Sequence, residues 1–274
     1  MDTLRPDNPT DRRSPIELRS EPPPLWPRDA PEQPETWGYL DLLYLLVFGV
    51  IALFMLSVIA VGCLYGMGFV FDWEVKFEEP RVQGPLNVAV SMLLWAAVFA
   101  FIYLIVAVKY RFRFGPSVGW VSYEGSPVQY LATGPVLAIS VVLVSMLLPQ
   151  VDEKLPLEIL LEDPLVMALL AVFGILFAPV LEETFFRGFL FPVFERSRGA
   201  GFAVFATSAL FSLVHGTQYG WRWQNLLLLL GVGVVFGTLR ARTGSILPST
   251  LVHASYNATL FAAFALAGEQ LERL

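Results

Sequence analysis

The sequence predicts an all-α, polytopic membrane protein with about seven transmembrane helices enclosing a polar intramembrane cavity. Three observations carry that prediction. The 274 residues are 55% hydrophobic and only 15% charged, with a mean hydropathy of +0.61; a soluble domain carries about 25% charged residues. The charges are clustered, so long stretches have none. An adjacent carboxylate pair, Glu182-Glu183, follows eighteen uncharged residues, where a bilayer would charge roughly 2.5 kcal/mol or more for each acid.

The elements follow in chain order. Residues 1–37 carry eight acids, five arginines and nine of the twenty prolines; such a composition buries no core and reads as a disordered, Pro-rich acidic tail. No apolar stretch follows a short basic start, so the first helix reads as an uncleaved anchor. Residues 38–163 hold the N-terminal helices and 164–268 a second group, with 269–274 as a short end. Segments without Lys, Arg, Asp or Glu cover 42–71, 82–108, 125–151, 164–181, 199–221, 223–239 and 243–268. A spanning helix needs about 20 apolar residues, so seven fit, with 164–181 and 223–239 short. Residues 155–162 read as a short interfacial helix. The cluster Tyr219-Gly-Trp-Arg-Trp223 reads as part of an interfacial aromatic belt.

Positive residues favour cytoplasmic loops. One set of alternate connections, including the tail, holds 13 Lys and Arg, and the other holds 5. That places the amino terminus inside and the carboxyl terminus outside. Cys63 is the only cysteine, which excludes an intramolecular disulfide and a cysteine metal cluster. Nothing resembles a basic surface for nucleic acid, and no internal repeat is evident.

Four polar groups fall in or beside the spans. Glu183 and Arg187 are i,i+4 and share a helical face, so Arg187 compensates one carboxylate and leaves Glu182 free. Pro179 removes a backbone donor just before the pair and loosens the helix. The stretch Phe211-Ser-Leu-Val-His215 and the stretch His253-Ala-Ser-Tyr-Asn257 contain the only two histidines of the chain. Asn257 alone also suits ordinary helix-bridging. The turn Arg240–Pro248 is explained by a basic loop with helix-stop and helix-start chemistry. At about 1.5 Å per residue, Glu183, His215, His253 and Asn257 lie roughly 10–22 Å from one side, deep enough to meet.

A carboxylate and an imidazole can jointly deprotonate a water, and a second His with an Asn can donate to a developing oxyanion. Zinc on Glu182, His215 and His253 is an alternative from the same residues. No Gly-x-Ser-x-Gly elbow or His-Glu-x-x-His stretch is present. An ion-coupled transporter would also bury Glu, His and Asn, and a scaffold or self-immunity protein would use them only to pin helices.

Taken in order, Glu-Glu-x-x-x-Arg at 182–187, Phe-x-x-x-His at 211–215 and His-x-x-x-Asn at 253–257 resemble the CPBP family. This is the CAAX-protease and bacteriocin-processing (ABI) group of intramembrane proteases. The run from Phe236 to Pro248 resembles it too, and the likeness covers about residues 165–260. The resemblance implies an intramembrane endopeptidase with Glu182 as general base and His215 as its partner. It implies His253 and Asn257 as the oxyanion hole, and Glu183 and Arg187 as supporting groups. It favours a metal-free glutamate mechanism, although members are also described as metalloproteases. The implied partners are the lipid bilayer and a membrane-anchored or prenylated peptide. The compact size and short loops point to the plasma (inner) membrane of a prokaryote.

Overall fold

Every element of the computed structural model is helical among its described residues, which are 36–77, 79–149 and 153–272. Helix α1 spans Tyr39–Val70, and α2 spans Pro80–Tyr103 and continues as a π-helical turn, Leu104–Lys109. After them come α3 (Phe114–Ser117), α4 (Pro127–Ser145) and α5 (Pro156–Leu161). The next stretch is one continuous path: α6 (Pro164–Val172), a π turn (Phe173–Phe177), α7 (Ala178–Glu183), a second π turn (Thr184–Leu190) and α8 (Phe191–Val214). Helices α9 (Trp223–Thr243) and α10 (Leu247–Glu272) complete the chain.

Proline, whose missing N–H costs nothing in a first turn, opens α2, α4, α5 and α6. Asp163 caps α6 by accepting from the backbone N–H groups of Leu165 and Val166. Its other oxygen accepts from Arg81 Nε at 2.7 Å, and this bond leads the contacts that hold the carboxyl below its usual range.

Among the described residues six helices are long and apolar enough to cross a membrane, the fourth being the 51 residues Pro164–Val214. That fourth stretch contains two of the seven charge-free segments, 164–181 and the start of 199–221, joined through helical residues 182–198. The division lies at Gly199, with φ 82° and ψ 168°. That backbone region is essentially confined to glycine. The helix expected over 199–221 stops at Val214, where His215 caps it and turns begin. The short helix expected over 155–162 is α5.

The expected tail lies outside the described residues up to residue 35. Its last member, Trp37, is ordered structure: it is 4% exposed, stacks on Phe189 and donates Nε1–H to Phe189 O at 2.9 Å. Arg196 donates to Trp37 O and lies over the indole ring. Average composition over the tail conceals this single anchoring residue.

Helix α4 packs against α10, α8 against α9, and α1 against α2. The first contact is so close that a Cβ on Gly134 would fall 2.0 Å from Ser255 Oγ. Apolar side chains cover the outside of α1, with only Asp41, Leu45, Leu64 and Gly68 buried. Such a surface suits lipid rather than water. The core gathers around the second π turn, where Phe186, Phe189, Phe191, Phe211 and Phe236 are all within 2% of full burial.

Asp41 was a boundary marker in the charge pattern; in the fold it is buried at 2% exposure. Its carboxylate accepts from Lys109 Nζ at 2.7 Å, Tyr110 OH at 2.8 Å and Gly38 N at 3.0 Å. These bonds pin the start of α1 to the end of α2.

Candidate active site

The site grows from a local conflict between proline and the helix. In the first π turn, the Ala178 N–H bonds to Phe173 O, five residues back. Continuing that pattern would give Gly174 O a donor at residue 179, but Pro179 has no N–H. Asn257 of α10 supplies one instead, with Nδ2 at 2.7 Å from Gly174 O. The loosening expected at Pro179 thus takes the form of a π turn, a feature that often marks functional sites. Glu182 and Glu183 follow at the end of α7, and the second π turn begins immediately after them.

Glu183 and Arg187 are both 0% exposed. Arg187 Nη1 donates to Glu183 Oε1 at 3.0 Å, as the i,i+4 spacing predicts. Arg187 Nη2 donates to Gly233 O of α9 at 2.9 Å. The guanidinium lies 5.0–5.6 Å from the ring centres of Phe186, Phe211 and Phe236. Aromatic faces attract a cation, which helps such a group exist without water.

Glu183 Oε1 also meets His253 Nδ1 at 3.2 Å. Seventy residues separate these two, and the sequence carries no sign of the contact. Because a carboxylate accepts, His253 Nδ1 carries the proton in this bond. The His253 ring is further held by stacking on Phe236, with centres 4.8 Å apart. His215 is held in parallel fashion, with Nδ1 at 2.7 Å from Phe211 O. A carbonyl only accepts, so here too Nδ1 is the protonated nitrogen.

Both histidines therefore present Nε2 to the same atom. His215 Nε2 and His253 Nε2 each lie 3.9 Å from Glu182 Oε2. That oxygen is buried and has no hydrogen-bond partner among the described residues. Glu182, His215 and His253 thus lie together. Asn257 faces the neighbouring π turn, and one of its two amide hydrogens is committed to Gly174 O. A water about 2.8 Å from each of two atoms fits across a gap of this size.

Zinc fits this arrangement less well. With bonds of about 2.0–2.1 Å it requires ligand atoms within roughly 3.5 Å of one another, and the Nε2 to Oε2 separations are 3.9 Å. Among the described residues no group of three or more His, Cys, Asp or Glu is arranged to hold a metal ion.

Three contacts around the site were not anticipated: Trp37 on Phe189 O, Trp120 Nε1 on Thr184 Oγ1 at 3.1 Å, and Arg240 Nε on Arg187 O at 3.1 Å. All three reach the second π turn from distant segments. The signal available in sequence was Pro192, which leaves a carbonyl unpaired upstream.

No curated protein and no solved structure matches this chain. Residues 164–259 match the family model described as type II CAAX prenyl endopeptidase Rce1-like. That interval starts at the first residue of α6 and includes both glutamates, both histidines and Asn257. Residues 164–259 therefore form an Rce1-like domain of the CAAX-protease (CPBP) kind, set in a chain whose described residues are helical and supply six helices long and apolar enough to cross a membrane.

Proposed function

We propose that this protein hydrolyses a peptide bond within the membrane, using a water activated by Glu182 and His215. The observation that carries the reading is the unpartnered Glu182 Oε2, buried and facing Nε2 of both histidines at 3.9 Å. A carboxylate without a donor is costly to bury, and a water between it and His215 would satisfy it. In the reaction, the water oxygen bonds to the scissile carbonyl carbon as Glu182 takes a proton. The carbonyl oxygen becomes an oxyanion. The proton then passes to the amide nitrogen as the C–N bond breaks, leaving a carboxylic acid and an amine.

His253 and the uncommitted N–H of Asn257 are the oxyanion donors in this reading. Donation from His253 Nε2 requires a proton on both ring nitrogens; Glu183 accepts from Nδ1 in either form. Arg187 in turn holds Glu183. The two acids divide into one that reacts and one that orients. The donor spacing supports a metal-free mechanism over a zinc site on Glu182, His215 and His253.

The family description supports a prenylated or otherwise membrane-anchored peptide as substrate. The excess of Arg and Lys in alternate connections supports a cytoplasmic amino terminus, and the compact size and short loops support the plasma membrane of a prokaryote. The test is cleavage of a prenylated CAAX peptide and its unprenylated counterpart by purified protein. Glu182→Ala should abolish cleavage while the helical content and unfolding temperature persist. Undiminished cleavage by that variant rejects Glu182 as the base, and stoichiometric metal in active protein rejects the metal-free form. A wild type that cleaves neither peptide leaves the scaffold or transporter reading in its place.

A further inference from the structure

The second π turn repeats the conflict seen in the first. The Phe191 N–H bonds to Phe186 O, five residues back. Continuation would give Arg187 O a donor at residue 192, which is proline and has none. Arg240, in the last turn of α9, reaches that oxygen with Nε at 3.1 Å. Its guanidinium packs over the Phe191 ring at 5.6 Å and against Gly119. No carboxylate lies within ion-pair distance of it among the described residues. What Arg240 contributes to Arg187 O is a directed N–H, while Glu195 acts on its charge beyond ion-pair distance.

Residue 187 is consequently tied to α9 at two points: its side chain through Gly233 O and its main chain through Arg240. Both ties act on the residue that holds Glu183, which holds His253. The proline that leaves Gly174 O without a donor is answered by Asn257 in the same way. Glu182 and Glu183 sit between these two side-chain repairs.

We propose that Arg240 is a positioning residue for the proposed hydrolysis: by donating to the carbonyl that Pro192 leaves unpaired, it fixes the π turn that aims the glutamate pair at the histidines. This rests on the protease reading given above. It predicts a specific rescue. Replacing Pro192 by alanine restores a main-chain N–H where the arginine is needed, so it should make Arg240 dispensable.

The experiment compares wild type, Arg240→Met, Pro192→Ala and the double variant as full-length protein in detergent, on the peptide the wild type cleaves. Misplacement of reacting groups by about 1 Å costs on the order of 10²-fold. Arg240→Met should therefore lower kcat by about 10- to 100-fold with KM within about threefold. Pro192→Ala alone should keep wild-type kcat, and the double variant should recover most of what Arg240→Met lost. A wild-type kcat for Arg240→Met overturns the proposal. So does a slow Pro192→Ala, or a double variant as slow as Arg240→Met. Thermal unfolding of the same four proteins separates this outcome from failure of the protease reading. If no form cleaves, a fall in Tm on Arg240→Met that Pro192→Ala reverses still supports the carbonyl repair, and additive effects overturn it. If Arg240→Met yields no folded protein, recovery of folded double variant supports the proposal and its absence rejects it.

Discussion

Two buried acids in this chain meet opposite treatment. Asp41 sits between α1 and α2 with both oxygens engaged, by Lys109, Tyr110 and Gly38. Glu182 is similarly buried, yet among the described residues its Oε2 has no hydrogen-bond partner, and neither does Arg187 Nε beside it. A buried polar group without a partner costs free energy on the order of 1–3 kcal/mol. The first cluster is saturated, as a structural joint must be. The second carries an imbalance that folding alone does not require. Saturation, more than burial or charge, distinguishes the joint from the site.

That contrast can be broken by experiment. The largest effect belongs to Glu182→Gln, which should reduce cleavage by about 10²- to 10⁴-fold, the usual contribution of a general base. Its unfolding temperature should stay level or rise, since an unpartnered charge is removed. A variant that instead unfolds early would make Glu182 a structural acid like Asp41. Next in size is Arg187→Met, which strands Glu183 and His253. Removing one member of a buried pair costs about 3–5 kcal/mol, visible as loss of folded protein in denaturant titrations. Asp41→Asn should follow at about 1–3 kcal/mol, smaller because Lys109 is half-exposed and can rehydrate. The folded fraction should cleave at the wild-type rate; a slowed kcat would erase the contrast between the two clusters. The smallest change is Trp37→Phe, which keeps a ring on Phe189 and removes only the N–H to its carbonyl. About 0.5–1.5 kcal/mol should be lost, read as a shift of one unfolding midpoint.

What the sequence disclosed depended on how far apart the partners lie. Glu183 and Arg187 are one helical turn apart, so their pairing follows from helix geometry. His215 and His253 stood out as the only histidines, each in an apolar segment, and both lie 3.9 Å from Glu182 Oε2. The bond from His253 to Glu183 spans seventy residues and the one from Lys109 to Asp41 spans sixty-eight. No local periodicity encodes either. The membrane-spanning, all-helical class was plain from hydropathy. The boundary between the fourth and fifth segments was less so, because Glu195, Arg196 and Arg198 look like a loop and are helical up to the break at Gly199. Arg240 escaped because a basic turn already explained it. Its second role appears only once the π turn shows which carbonyl lacks a donor.

Gly199 has a consequence for the surrounding lipid. Beyond it α8 runs for only fifteen residues to Val214, a length of about 22 Å against a hydrocarbon core of about 30 Å. A helix that falls short of the bilayer is met by local thinning of the membrane. The shortfall ends at His215, so thinning there would draw headgroups and water inward beside Glu182 and the two histidines. A bilayer thinned in this way would carry the aqueous phase down to the candidate site through its own deformation.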